Sequence, residues 1–193
     1  MPLLPLEAIL ASMGKTLYLL RHAKSSWDDP TLADHDRPLA SRGRRASKVI
    51  ADHLQTERIT PTLVLCSSST RTRETLELIS AGLGDEVEVQ VERCLYAASA
   101  NDLLYRLRKV NARVGSVMLI GHCPAIQELA LNLAGGGVHL ERLRTKFPTA
   151  ALATLAFHGS WGQLTQGSAE LVAFVTPREL EDSRSRPGAP NMP

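Results

Sequence analysis

Three short stretches carry residues whose types and spacing suit one chemistry: Arg21-His22, Ser67-Ser68-Ser69-Thr70-Arg71 and Gly121-His122. Two guanidiniums offer planar, paired donors that match phosphate oxygens. A neutral imidazole is a competent nucleophile and can carry a covalent phosphoryl group. Phosphoryl transfer needs positioning and neutralisation of charge on the equatorial oxygens, a task often shared with Mg²⁺. Here Arg21, Arg71, His22 and His122 are four cationic or protonatable groups that could take the place of a metal. The arginines also favour the neutral, nucleophilic form of His22, because like charges disfavour its protonation. On this reading His22 attacks phosphorus, becomes phosphohistidine and is then hydrolysed by water.

The four residues work together only if the chain brings them to one place. Each stretch directly follows an apolar run: Thr16–Leu20, Thr62–Cys66 and Val117–Ile120. These runs (TLYLL, TLVLC, VMLI) are nearly continuous rather than alternating, the pattern of strands covered on both faces in a parallel sheet. Further strands are expected at Val87–Val91, Ala151–Phe157 and Glu170–Val175. Helical patterns fall between them at Ala40–Thr56, Arg71–Ala81, Asn101–Val110 and Pro124–Ala134. The last has Pro in its first turn and stops on Gly135-Gly136-Gly137. Strands alternating with helices predict a layered α/β domain. Ligands of open parallel sheets bind just beyond the carboxyl ends of the strands, so the two Arg and two His residues are expected to converge on one sheet edge. The helix starting near Thr70 would add free backbone N–H groups for an anion.

Composition narrows the class. A chain of 193 residues, 44% hydrophobic and 22% charged, has the size and make-up of one globular domain. A net charge of +2 and only 4% aromatic residues give no footprint for nucleic acid. Arg42, Arg44, Arg45 and Lys48 read as the solvated face of the first long helix. No apolar run reaches the length of a membrane span, and no basic residue precedes the apolar N-terminal stretch, so neither a membrane anchor nor a signal peptide is expected. Three widely spaced cysteines, Cys66, Cys94 and Cys123, fit reduced thiols and a cytoplasmic location. Residues 1–12 read as an extension, 13–176 as the domain, and the polar stretch 177–193 as a disordered tail.

With these residues in view, the chain resembles the histidine phosphatase superfamily. LYLLRHAKSSWDD is similar to its opening Arg-His motif, SSSTRTRET to its second motif, and IGHCPAIQELALNLAG to its third, Gly-His-x-Pro before a helix. RHAKSSW, DHDRPL, GHCP and KFPTAAL together resemble the SixA-type branch, small phosphohistidine phosphatases without a large cap insertion. The resemblance spans about Lys15 to Val175. It implies a phosphoglycerate mutase-like fold, a three-layer α/β/α sandwich on a mostly parallel sheet. It implies His22 as nucleophile, with Arg21, Arg71 and His122 holding the phosphoryl oxygens, Ser25 adding a contact and Thr75 serving structure. It further implies a metal- and cofactor-independent hydrolase acting on phosphohistidine of a phosphorylated protein. Larger members carry a Glu as general acid after the third strand; here that region reads VERCLYAAS, which leaves Glu92, Asp28 and Asp29 as weak candidates. A phosphoramidate asks for less acid help, since imidazole departs more readily than an alkoxide.

Other phosphatase chemistries fail on spacing. A Cys-x5-Arg loop starting at Cys123 would need Arg at 129, and the residue there is Leu129. Asp34-His35-Asp36-Arg37-Pro38 has Pro where an aspartyl-phosphate enzyme needs Thr or Val. Gly135–Gly137 lacks the Lys of a phosphate-binding loop. No paired Cys motif or His-Glu-x-x-His suggests a metal site. Two alternatives remain: a small-molecule phosphomonoesterase of the same fold, and a non-catalytic phosphate- or phosphoprotein-binding module. His35, His53, His139 and His158 read as packing or surface residues. The oligomeric state is open, with a monomer expected.

Overall fold

The computed structural model describes residues 13–84 and 87–184. The expected extension 1–12 and the end of the expected tail, 185–193, lie outside them. Seven strands form one sheet in the order β3-β2-β4-β1-β6-β7-β5. They are β1 Lys15–Arg21, β2 Leu63–Ser67, β3 Glu88–Glu92, β4 Ser116–Gly121, β5 Ala134–Gly136, β6 Leu152–Phe157 and β7 Ala169–Val175. β1 runs parallel to β4, and β2 parallel to β4 and β3, while β6 lies antiparallel between β1 and β7. The expected mostly parallel sheet is therefore present. The two strands flanking β1 bury every residue but Ser116, as their continuous apolar runs require.

Alternation along each strand feeds two cores. Leu17 and Leu19 of β1, Leu65 of β2 and Leu119 of β4 face one layer. There they meet Leu103 and Leu107 of α3 (Ala100–Arg108) and Ile126 and Leu129 of α4 (Ala125–Leu133). Tyr18, Leu20, Val64 and Ile120 face the other, against Ile50 and Leu54 of α1 (Ser41–Thr56) and Ile79 of α2 (Thr70–Ile79). The helix after β1 thus covers one face and the helix after β4 the other. Neighbouring parallel strands whose helices leave on opposite sides open a crevice at their carboxyl ends, and Arg21-His22 and Gly121-His122 stand at the end of these two strands.

Three elements went unread in the sequence. The glycines expected only to stop α4 also pair as the short strand β5 alongside β7. Leu140–Thr145 forms a brief helix, α5, anchored by buried Leu143. Pro177–Arg184, expected to open a disordered tail, is the helix α6. It has no buried residue; it rests on Leu180, partly buried against the second core, and on the Arg142–Glu179 and Arg184–Asp52 ion pairs. Strong polarity hid a helix held by ion pairs and one leucine.

Gly43, in the first turn of α1, shows how tightly the fold grips the segment after β1. A Cβ there would run into the backbone carbonyl of Lys24, two residues beyond His22. Gly43→Ala should lower stability by about 1–3 kcal/mol, the usual cost of overpacking, and lower kcat by displacing the loop. An unchanged denaturant midpoint and unchanged turnover would contradict this contact.

Candidate active site

Backbone hydrogen bonds hold His22 on both sides. Its N–H donates to Gly121 O (3.0 Å), and its carbonyl accepts from Ala150 N–H (3.2 Å), which is shared with Arg21 O (3.1 Å). Ala150 reaches both by adopting a left-handed φ of 59°, a conformation costing on the order of 1–2 kcal/mol outside glycine. Arg21 donates through Nη1 to Phe147 O (2.7 Å). These contacts explain the KFPTAAL stretch: it positions the Arg21-His22 segment from the β6 side. From the other side, the Thr75 hydroxyl accepts from Ala23 N–H (3.0 Å) and donates to Arg71 O (2.7 Å). Thr75 is thus the structural residue expected, tying the His22 loop to the helix that carries Arg71.

The two imidazoles lie with ring centroids 5.1 Å apart. His22 Nδ1 is 2.7 Å from Ala23 O. A carbonyl only accepts, so Nδ1 carries the proton and Nε2 keeps its lone pair. His122 Nε2 lies 2.8 Å from Ser67 Oγ, and its Nδ1 3.5 Å from Arg71 Nη2. Arg only donates, so Nδ1 accepts and Nε2–H faces the serine. Burial, foremost, pushes His22 down to about 3; the charges of His122, Arg71 and Arg21 add to it, and the Ala23 hydrogen bond opposes it. Burial likewise pushes His122 down to about 4, aided by Arg71 and opposed by Asp34. Both rings are neutral at pH 7.

Sequence reasoning missed the shell around this cluster. Arg71 donates to the backbone and carboxylate oxygens of Asp34, the latter at 2.8 Å, and Tyr96 Oη donates to the same carboxylate at 2.9 Å. Burial alone would raise the Asp34 pKa, but these hydrogen bonds and the charges of Arg71 and Arg37 hold it below the usual carboxylate range. Tyr96 packs edge-on to His122 (5.6 Å) and to His35 (4.8 Å). His35, read as a packing residue, bonds Ser68 Oγ at 2.9 Å and so belongs to the rim. Arg37 is buried with its Cζ 4.0 Å over the Trp27 ring, and its Nε and Nη1, like Nε of Arg21, have no partner among the described residues. The sequence signal was the Asp-x-x-Arg spacing of DHDRPL, lost among surface-like charges.

The acid candidates are not brought to the cluster. Glu92 is bound by Arg106 (2.6 Å) on α3 and accepts from Cys94 Sγ. Burial would raise its pKa, yet the Arg106 bonds hold it low. Asp28 is exposed and accepts from Ser26 Oγ at 2.7 Å; Asp29 is exposed and bound by Thr31. None of the three touches Arg21, His22, Arg71 or His122. Ser25 stands three residues past His22 in an isolated bridge with Leu39, and no side-chain hydrogen bond engages it among the described residues.

An α/β sheet of this topology with paired Arg and His residues at its switch point defines a phosphoglycerate mutase-like phosphatase. The profile of the histidine phosphatase superfamily (branch 1) matches residues 17–99. An uncharacterised protein of Mycobacterium leprae is 38% identical over 165 residues, 82% of this chain and all of that one. A Nakamurella multipartitia structure named after the phosphohistidine phosphatase SixA superposes with a TM-score of 0.72 at 29% identity, covering 84% of this chain and 96% of the other. One from Agrobacterium tumefaciens, named likewise, gives 0.72 at 28% identity over 84% and 98%. The chain belongs to the histidine phosphatase superfamily, in its SixA-like branch. No helix among the described residues is long and apolar enough to cross a membrane.

The depressed histidines set an acid limit on stability. In the unfolded chain both rings take up protons near 6.5; in the folded protein they stay neutral to about 4 (His122) and about 3 (His22). Between these values the unfolded state binds more protons, so stability falls as pH drops from about 6.5 toward 4. His122→Asn should make this decline shallower, by up to one proton in the linkage slope. Denaturant midpoints against pH check it, and titration of both ring signals near pH 6.5 in the native protein would contradict it.

Proposed function

We propose that this phosphatase dephosphorylates phosphohistidine on proteins, through a covalent phosphoenzyme on His22 and without a metal ion. The observation that carries the reading is the neutral His22 ring, its Nδ1–H fixed on Ala23 O and its Nε2 left basic, beside Arg21, Arg71 and His122. Nε2 attacks phosphorus in line with the departing nitrogen of the substrate imidazole. Arg21 and Arg71 neutralise charge on the equatorial oxygens, and a bound anion would satisfy the unpartnered Nε of Arg21. His122 would hold a third oxygen by turning its Nε2–H from Ser67 Oγ to the anion. As the P–N bond forms, positive charge on the His22 ring is met by the Ala23 carbonyl. Water then attacks the phosphoenzyme, phosphate leaves, and His22 returns neutral with Nδ1–H in place.

The placement of carboxylates favours a phosphoramidate over an alkyl phosphate. Glu92 is engaged by Arg106, Asp28 by Ser26, and Asp34 by Arg71 and Tyr96. An alkoxide leaving group would need one of them as a proton donor. A phosphoimidazole protonated on its other ring nitrogen departs as neutral imidazole and needs none. The domain would then comprise residues 13–176, with α6 packed on it from outside.

Purified protein with chelator should release phosphate from a phosphohistidine-bearing phosphotransfer protein and turn over alkyl monoesters poorly. His22→Ala should lower kcat by about 10³-fold or more, and acid-labile label should appear on the wild type only. Strong turnover of one small monoester would replace the substrate and keep the mechanism. Bound phosphate without turnover of any substrate would make the domain a binder.

A further inference from the structure

A cavity among the described residues lies beside the His22 site rather than in it. It is a cleft of about 470 Å³ at the same edge of the sheet. Leu20, Leu152 and Val175 form one row across β1, β6 and β7, and just beyond that row stand Lys24, the 146–149 segment and the start of α6. The cleft is lined by Lys24, Arg42, Lys146 and Arg178, with Glu181 as the one acidic residue on its wall. Lys24, Arg42 and Lys146 take part in no ion pair among the described residues, and Arg178 has only a long contact of 3.8 Å to Asp182. It is contiguous with the site: Lys24 is two residues past His22, and the wall residues Pro148 and Thr149 separate Phe147 and Ala150, which hold Arg21 and His22.

We propose that this cleft docks a carboxylate-rich surface of the phosphoprotein, beside its phosphohistidine; the proposal rests on the reading of the substrate above. Four cations against one carboxylate, on a chain whose net charge is only +2, form a local attraction for anions. The cations come from four separate segments, and Arg42, Lys146 and Arg178 are exposed. A cleft of about 470 Å³ walled by four cations is larger than one carboxylate or phosphate fills and suits several carboxylates on a macromolecular surface. Such exposed charges act on encounter rate and partner choice and are screened by salt.

The test compares wild type with Arg42→Gln/Lys146→Gln, on free phosphohistidine and on an acidic phosphohistidine-bearing phosphotransfer protein. Turnover of the free amino acid should be unchanged. KM for the phosphoprotein should rise roughly tenfold, as loss of steering charges predicts, and its salt dependence should flatten. Arg42→Lys/Lys146→Arg should restore both. Equal phosphoprotein KM in wild type and the Gln variant overturns the docking site. If wild type leaves phosphohistidine untouched, the substrate reading falls. The cleft is then judged by titrating the unphosphorylated acidic protein into both variants: weaker binding to the Gln variant sustains docking, and equal binding ends it.

Discussion

One imidazole must stay uncharged in the midst of cations, and the rest of the site follows from that requirement. His22 is neutral because it is buried beside Arg21, Arg71 and His122. Neutrality alone would leave the ring free to turn its lone pair away. The Ala23 carbonyl fixes the proton on Nδ1, while Gly121 and Ala150 fix the backbone. The strained φ of Ala150 is the local cost of bringing one N–H to two carbonyls. The register of β1 against β4 supplies the Gly121 contact, the turn leading into β6 supplies Ala150, and Thr75 of α2 holds the Ala23 N–H.

Carboxylates are distributed by the same logic. A carboxylate touching His22 would raise its pKa and repel a phosphoryl group. The one carboxylate of the cluster, Asp34, is instead turned to Arg71 and Tyr96, where it orients the guanidinium and balances part of its charge. Glu92 sits at the end of β3 but spends its charge on Arg106. Glu74 is taken by Arg44 and the Leu39 N–H. Each of these three acids is engaged by the scaffold.

The sheet and the four pocket residues were legible in the sequence for a physical reason. A strand buried on both faces has to be apolar throughout, so the first polar residues after it mark the sheet edge. Arg21, His22, Arg71 and His122 are such residues or follow within a few positions. What was illegible depends on polar contacts between distant segments. Asp34, His35, Arg37 and Tyr96 lie in loops and a 3₁₀ turn with no periodicity to announce which way they face. Ser67, named in the sequence only as part of the stretch leading to Arg71, bonds His122. Helix α6 escaped because ion pairs, not an apolar stripe, hold it. Glu92 was only a weak candidate, suggested by the Glu that larger family members carry after the third strand, and its partner Arg106 is fourteen residues away on another element.

The sheet edge is divided electrostatically at β1. Toward β4 and β2 the cationic groups are buried or nearly so, and their interactions are strong because little water screens them. Toward β6 and β7 the cations are exposed, and their attraction is longer in reach but weakened by salt. A phosphoryl group carries its charge in a small volume and gains from the first kind; a protein surface carries its charge spread out and gains from the second. A molecule of nearly balanced net charge can select an anion only by concentrating cations locally, and here it does so twice, with a single loop, His22 to Lys24, joining the two fields.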